Sequence, residues 1–248
     1  MKKSNWKFWA AIGLVALLVL VSVFVVWAGD ASMASDTALR ALDSDAQVSV
    51  SAENGWLIFY PANNPRPETG FIFYPGGKVD YRAYAPILRL IAAEGYFVAL
   101  VPVPLNLAFF DVNAAAPVQA AYPEIQNWFV GGHSLGGVAA SLYAVDHAEI
   151  NGVVFWASYP SDDSLKVEEI PAVSIYGTRD GLATGDKVDA SRELLLPGTQ
   201  FVAIEGGNHA QFGSYGPQAG DNEATISPED QWAQVVLATT TFFDSVTK

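Results

Sequence analysis

Phe129-Val-Gly-Gly-His-Ser-Leu-Gly-Gly-Val-Ala-Ala140 is the stretch whose reading decides the fold of this chain. Residues 128–130 form a short apolar run suited to a buried strand, and from Ser134 onward the residues favour a helix. Between them, Gly132-His-Ser134-Leu-Gly136 fits the pattern G-x-S-x-G. A serine on a sharp strand-to-helix turn needs neighbours without side chains, so that its hydroxyl stands clear and the helix packs closely. The turn leaves the Leu135 N–H at a helix start, where it can face developing negative charge. Taken alone, the five residues also suit a Gly-rich turn in which Ser134 merely caps a helix. The rest of the chain has to choose.

Outward from this stretch, short apolar runs alternate with helical segments. Residues 71–74, 97–101, 128–130, 153–157, 173–176 and 201–204 read as strands without polar alternation, as expected when both faces are covered. Residues 81–93, 115–121, 135–147, 187–195 and 228–243 read as helices. Ahead of them, 47–51 and 56–60 are strand-like runs around Asn54-Gly55, a hairpin signal. This order predicts an α/β domain with a mainly parallel sheet, an antiparallel hairpin at its start and helices on both faces.

Ligands of open parallel sheets bind beyond the carboxyl ends of the strands. Pro75-Gly76-Gly77-Lys78 follows one strand, Ser134 the next of interest, Gly177-Thr178-Arg179-Asp180-Gly181 another, and Glu205-Gly206-Gly207-Asn208-His209 the last. A hydroxyl becomes nucleophilic when a base removes its proton, and an imidazole base needs a carboxylate to hold its tautomer. A serine, an acid and a histidine are thus present in that chain order. The Leu135 N–H and an N–H near Gly77 supply an oxyanion hole, worth roughly 3 kcal/mol per donor.

The joint pattern resembles the α/β-hydrolase fold from about residue 47 to the C-terminus, more narrowly its compact members of the dienelactone-hydrolase-like and fold-5 type. That resemblance implies Ser134 as nucleophile, Asp180 as orienting acid, His209 as base, and Gly77 and Leu135 as oxyanion donors. Asp186 or Asp189 remain alternatives for the acid, and Lys78 for Gly77. Dienelactone hydrolases proper use a cysteine and this chain has none, so their substrate does not carry over. Only residues 158–170 separate the strand after the elbow helix from the next, too few for a cap domain. Lys78, His133, Phe212 and Tyr215 are candidates for lining the substrate's path. His133 also reads as a packed residue whose side chain leaves the turn away from that of Ser134, and His147 as a surface residue near a helix end. Residues 102–110, rich in Leu and Phe, form either an acyl pocket or packing beneath the sheet, and 210–227 is a long Gly-rich loop that covers or lines the site.

Composition removes several other classes. The chain has 248 residues, of which 51% are hydrophobic, with 13 basic against 26 acidic side chains. Lys2, Lys3 and Lys7 precede the first apolar run, and without them the remainder stands at −16. Such a domain repels nucleic acid, so no nucleic-acid partner is expected. With no cysteine and three histidines that form no H-x-x-x-H pair, metal ligation is poorly supplied, and the resembled fold implies no metal or organic cofactor.

Residues 8–29 are an uncharged run of 22, long enough as a helix to cross ~30 Å of hydrocarbon. Basic residues before it and acidic ones after it place residues 1–7 in the cytoplasm and the domain outside. Val26-Trp27-Ala28 loosely resembles a signal-peptidase site, but the run exceeds an ordinary signal peptide, so an uncleaved anchor is expected, with secretion if it is cut. Residues 30–45 then form a juxtamembrane linker and 46–248 the hydrolase domain. The expectation is an outward-facing serine hydrolase acting on a small-molecule or lipid-like ester. An acyltransferase or perhydrolase on the same triad, or a non-catalytic binding module, are the rivals.

Overall fold

A computed structural model describes residues 6–247, so Lys2 and Lys3 lie outside the described residues. The first element, α1 (Trp6–Gly29), is a continuous apolar helix long enough to cross a membrane. Its end does not leave the domain free. Ser32 pairs with Val79 as an isolated parallel bridge: the Ser32 N–H donates to the Lys78 carbonyl (2.8 Å) and the Asp80 N–H to the Ser32 carbonyl (2.9 Å). A short helix, α2 (Asp36–Arg40), follows, its first turn capped by Ser35 Oγ, which accepts the Ala38 N–H at 3.2 Å. Residues 30–45 therefore run along the domain surface.

The strands β1 (Val48–Glu53) and β2 (Trp56–Pro61) form the expected hairpin. Asn54 and Gly55 both take positive φ (50° and 93°), as the two central residues of such a tight turn require. Then come β3 (Thr69–Tyr74), α3 (Ala85–Ala93), β4 (Phe97–Leu100), α4 (Ala116–Ala121) and β5 (Asn127–His133). The second half runs α5 (Leu135–Val145), β6 (Ile150–Trp156), α6 (Ser164–Val167), β7 (Ala172–Gly177), α7 (Gly185–Ala190), β8 (Gln200–Ile204) and α8 (Pro228–Thr247). All eight strands join one sheet in the order β1-β2-β4-β3-β5-β6-β7-β8, parallel from β4 to β8 and antiparallel at β1-β2 and β2-β4.

Because side chains alternate across a strand, the sheet has two apolar faces. Phe71, Phe73, Phe129, Val154 and Trp156 pack with Ile87, Leu88 and Ile91 of α3 and Val235, Phe242 and Phe243 of α8. On the other face, Ile72, Tyr74, Val130, Val153 and Phe155 meet Val118 of α4, Ala139, Ala140 and Tyr143 of α5, and Leu165 of α6. Among the described residues only the single-turn α6 stands between β6 and β7, so no cap domain is inserted there.

Candidate active site

The carboxyl ends of β3, β5, β7 and β8 set four loops side by side. Tyr74 at the end of β3 is level with Gly132 in β5, which brings residues 75–78 alongside the elbow. At that elbow Ser134 has φ 50° and ψ −120°, outside the comfortable regions for a residue with a side chain, and its N–H donates to the Trp156 carbonyl at 3.0 Å. Crowding explains the flanking glycines. A Cβ on Gly132 would stand 2.3 Å from the Gly136 carbonyl carbon, and one on Gly136 2.3 Å from the Tyr74 carbonyl oxygen. Ser134 makes no side-chain capping bond to α5, so the plain capping role does not describe it.

Two further loops are clamped at one height. The Thr178 N–H donates to the Ile204 carbonyl (3.0 Å) and the Arg179 N–H to the Gly207 carbonyl (2.9 Å). This places Asp180 against His209: Asp180 Oδ2 lies 2.8 Å from His209 Nδ1, with both side chains buried. Asp180 Oδ1 accepts the Leu182 and Ala183 N–H groups, each at 2.7 Å, so its two oxygens have separate duties. The other ring nitrogen, Nε2, is buried and makes no hydrogen bond to a described residue. His209 and Ser134 line one cavity of about 220 Å³, with Leu135, Val138, Tyr159 and Leu182 as further walls.

The oxyanion candidates are neighbours too. A Cβ on Gly77 would lie 3.0 Å from Leu135 Cδ2 and 3.5 Å from Leu135 Cβ. Around Gly77 the other N–H groups are already engaged: that of Gly76 donates to Tyr84 Oη at 2.9 Å, and that of Lys78 to the Asn106 carbonyl at 2.8 Å. The N–H groups of Gly77 and Leu135 donate to no described residue.

Of the remaining candidates, none walls this cavity. His133 is buried, its ring 4.4 Å from that of His209 and near-parallel to Phe212. Its Nδ1 is 2.9 Å from Tyr84 Oη. Tyr84 Oη also accepts the Gly76 N–H, so one buried hydroxyl joins both groups. Burial, reinforced by the neighbouring His209, pushes the His133 pKa well below the ordinary 6.5. Phe212 is fully buried, and Tyr215, also buried, bonds Gln218 Oε1 through its hydroxyl (2.8 Å). The Lys78 ammonium points toward α1, as taken up below. His147 stands near the end of α5, 3.1 Å from Glu149. Asp186 and Asp189 lie on α7, while Asp180 holds the histidine. The loop 210–227 walls a separate cavity of about 500 Å³ with Asn208 and Trp232.

Three supporting residues escaped the sequence reading. Tyr84 ties residues 75–77 to the elbow through Gly76 and His133. Asp221 accepts the Gly181 N–H (3.0 Å) on one oxygen and the Ala210 N–H (2.8 Å) on the other, stapling the acid loop to the base loop. Gln231 is fully buried and holds Asn208 at both its N–H and carbonyl (3.0 and 2.9 Å). Tyr84 sits in an ordinary helical stretch and Gln231 on an ordinary helix, so neither carries a local signal. Only Asp221, in a Gly-rich loop, had a residue type suggestive of such a role.

The model of the alpha/beta hydrolase family matches residues 70–233. No curated protein matches the chain in sequence. Among solved structures, the esterase domain from a Rhodothermus marinus protein is similar with a TM-score of 0.58 at 15% identity, covering 79% of this chain and 98% of that one. Est1E from Butyrivibrio proteoclasticus gives 0.57 at 13% identity, over 80% and 99%. A membrane phospholipase A described as a bacterial virulence factor gives 0.56 at 15% identity, over 95% and 98%. At these identities the likeness is one of fold, and together with the family match over most of the domain it means that this chain belongs to the alpha/beta hydrolase family.

Proposed function

We propose that the protein is a serine hydrolase that cleaves an ester or related acyl bond through an acyl-enzyme, anchored by α1 with its catalytic domain outside the cytoplasmic membrane. The observation that carries this reading is the buried Asp180–His209 pair at 2.8 Å, whose free Nε2 shares a cavity with a serine on a strained turn.

In this reading, Ser134 Oγ attacks the carbonyl carbon while His209 Nε2 takes its proton, and Asp180 stabilises the resulting imidazolium. Negative charge builds on the former carbonyl oxygen, next to the unengaged N–H groups of Gly77 and Leu135. The tetrahedral intermediate collapses as Nε2 hands the proton to the leaving alcohol oxygen. Water then attacks the acyl-enzyme with His209 again as base, releasing the acid and restoring Ser134. A cavity of about 220 Å³ without a cap admits a short acyl group or the reacting end of a longer one. The anchor reading rests on the length and apolarity of α1 and on the Lys-before, Asp-after charge pattern.

Steady-state hydrolysis of p-nitrophenyl butyrate by Ser134→Ala and His209→Ala tests the mechanism. Each substitution lowers kcat/KM by several orders of magnitude. Near-parental turnover in either purified variant refutes it.

A further inference from the structure

The loop of residues 102–110 neither packs wholly beneath the sheet nor closes over the serine. Ala108 is buried and Leu107 half-buried, but Leu105, Phe109 and Phe110 are 37%, 49% and 54% exposed. Outside α1, Phe109 and Phe110 are the only exposed phenylalanines among the described residues. The loop is also strained. Leu105 and Asn106 are consecutive non-glycine residues at φ 54°, a conformation that persists only where its surroundings impose it. The Asn106 carbonyl does so by accepting the Lys78 N–H at 2.8 Å.

The same loop lies against the anchor. The Phe110 ring is 6.0 Å from that of Phe24, edge to face. The Lys78 ammonium sits 4.7 Å over the Trp27 ring and 4.0 Å from Asp30. Asp30 ends the uncharged run and Phe24 precedes it by six residues, so Phe24 lies ~9 Å inside the apolar segment along the helix axis. If α1 spans the membrane, Phe110 cannot touch Phe24 without entering the headgroup and acyl boundary, the depth at which interfacial aromatic and leucine side chains settle. On its inner side the loop reaches the proposed oxyanion hole: Leu107 Cδ2 is 3.5 Å from where a Gly77 Cβ would stand.

We propose that Leu105, Phe109 and Phe110 form a wedge immersed in the outer leaflet beside α1, so that the mouth of the site opens onto the membrane surface and takes long-chain acyl esters resident in the lipid. This deepens the hydrolase reading above and rests on it and on the anchor. Lipid is favoured over a protein partner because the patch is continuous with the membrane-spanning helix itself. With a domain of strongly negative charge, the attraction is apolar rather than electrostatic, and zwitterionic lipid is the suitable surface.

The test uses the full chain reconstituted into phosphatidylcholine vesicles. Since the chain has no cysteine, Phe110→Cys carries a single environment-sensitive fluorophore, with Leu237→Cys on α8 as a water-exposed control. The label at position 110 is expected to emit in the blue and to be quenched by nitroxide lipids, shallow ones most, while the control is quenched by aqueous iodide. In parallel, the Phe109→Ser/Phe110→Ser double variant is compared with the parent on p-nitrophenyl palmitate in the vesicles and on soluble p-nitrophenyl acetate. The ratio of vesicle to soluble turnover falls about tenfold or more, as expected from removing two aromatic side chains from the lipid. Water-like emission at position 110, quenched by iodide as readily as the control, overturns the wedge whatever the activity. An unchanged ratio overturns the substrate class. A parent enzyme that cleaves neither ester sinks the hydrolase reading instead, and the fluorescence result still decides the immersion.

Discussion

Replacing Tyr84 by phenylalanine removes one oxygen and little else, yet that oxygen joins two loops. Tyr84 Oη accepts the Gly76 N–H and is hydrogen-bonded to His133 Nδ1, each at 2.9 Å, in a fully buried setting. The variant leaves a buried N–H and a buried ring nitrogen without partners, each costing ~1–3 kcal/mol. With partial relaxation the loss of stability is about 2–4 kcal/mol, a fall in thermal midpoint of roughly 4–16 °C for a domain of this size. The catalytic effect is separable. Gly77, next to Gly76, carries the proposed oxyanion N–H, and losing such a donor outright costs ~10²–10³ in kcat. Here the donor is loosened rather than removed, so kcat for p-nitrophenyl butyrate drops about ten- to a hundredfold with KM little changed. Tyr96→Phe is the control: it loses one hydroxyl bond, to Asp244 Oδ1 at 2.8 Å, distant from the elbow loops, and destabilises without lowering kcat. Full kcat in folded Tyr84→Phe would show that residues 75–77 need no such brace, and would refute the reasoning.

Other substitutions probe the same site. Asp180→Asn must keep its oxygen toward the Leu182 and Ala183 N–H groups, which turns its amide NH₂ toward His209 Nδ1 and forces the wrong tautomer; kcat falls on the order of 10³–10⁴-fold while the thermal midpoint barely moves. Equal kcat in the two proteins contradicts this. Because burial depresses the His133 pKa, the folded protein binds fewer protons there than the unfolded chain; His133 thus contributes fully above pH ~6.5, and stability falls below it by up to ~1.4 kcal/mol per pH unit until the folded pKa is reached. Thermal melts from pH 7 to pH 5 should therefore show a shallower decline in His133→Asn than in the parent, and parallel curves would exclude the linkage. Gly136→Ala places a methyl 2.3 Å from the Tyr74 carbonyl oxygen and 2.4 Å from that of Pro75, so the variant is expected to lose ~3 kcal/mol or more, read as a collapse of soluble yield and midpoint.

How much of this was legible beforehand depended on whether the signal was local. Strands covered on both faces announce themselves by apolar runs with little polar interruption, and β3 and β7 are read within a residue or two of their observed ends; β8, the edge strand, buried at Ile204 alone, is legible from its apolar composition rather than from burial. β5 was read too short: Gly131, Gly132 and His133 look like the turn, yet they pair with Val154, Phe155 and Trp156 as strand. The sharp bend is delayed to Ser134, where φ changes sign. Ser134 is legible from its G-x-S-x-G motif, and Asp180 and His209 from their places in loops at the carboxyl ends of strands together with the family resemblance. What topology does not contain is who holds those loops. Tyr84, Asp221 and Gln231 act across 49, 40 and 23 positions of chain, through hydrogen bonds that no periodicity encodes. The fate of residues 102–110 was equally hidden, since leucines and phenylalanines in a loop read the same whether they face a core, a substrate or a membrane. What the structure adds is that Lys78 and Phe110 pack against Trp27 and Phe24 of α1, the contacts from which the proposed membrane wedge is argued.

The central claim is that one serine of this chain is activated, and covalent trapping addresses it directly. Incubation of the full-length protein with a fluorophosphonate, followed by intact mass and peptide mapping, is predicted to give one adduct per chain, on Ser134, and to give none in Ser134→Ala and only slow labelling in His209→Ala. An unlabelled parent protein, or an adduct on another residue, would contradict the account.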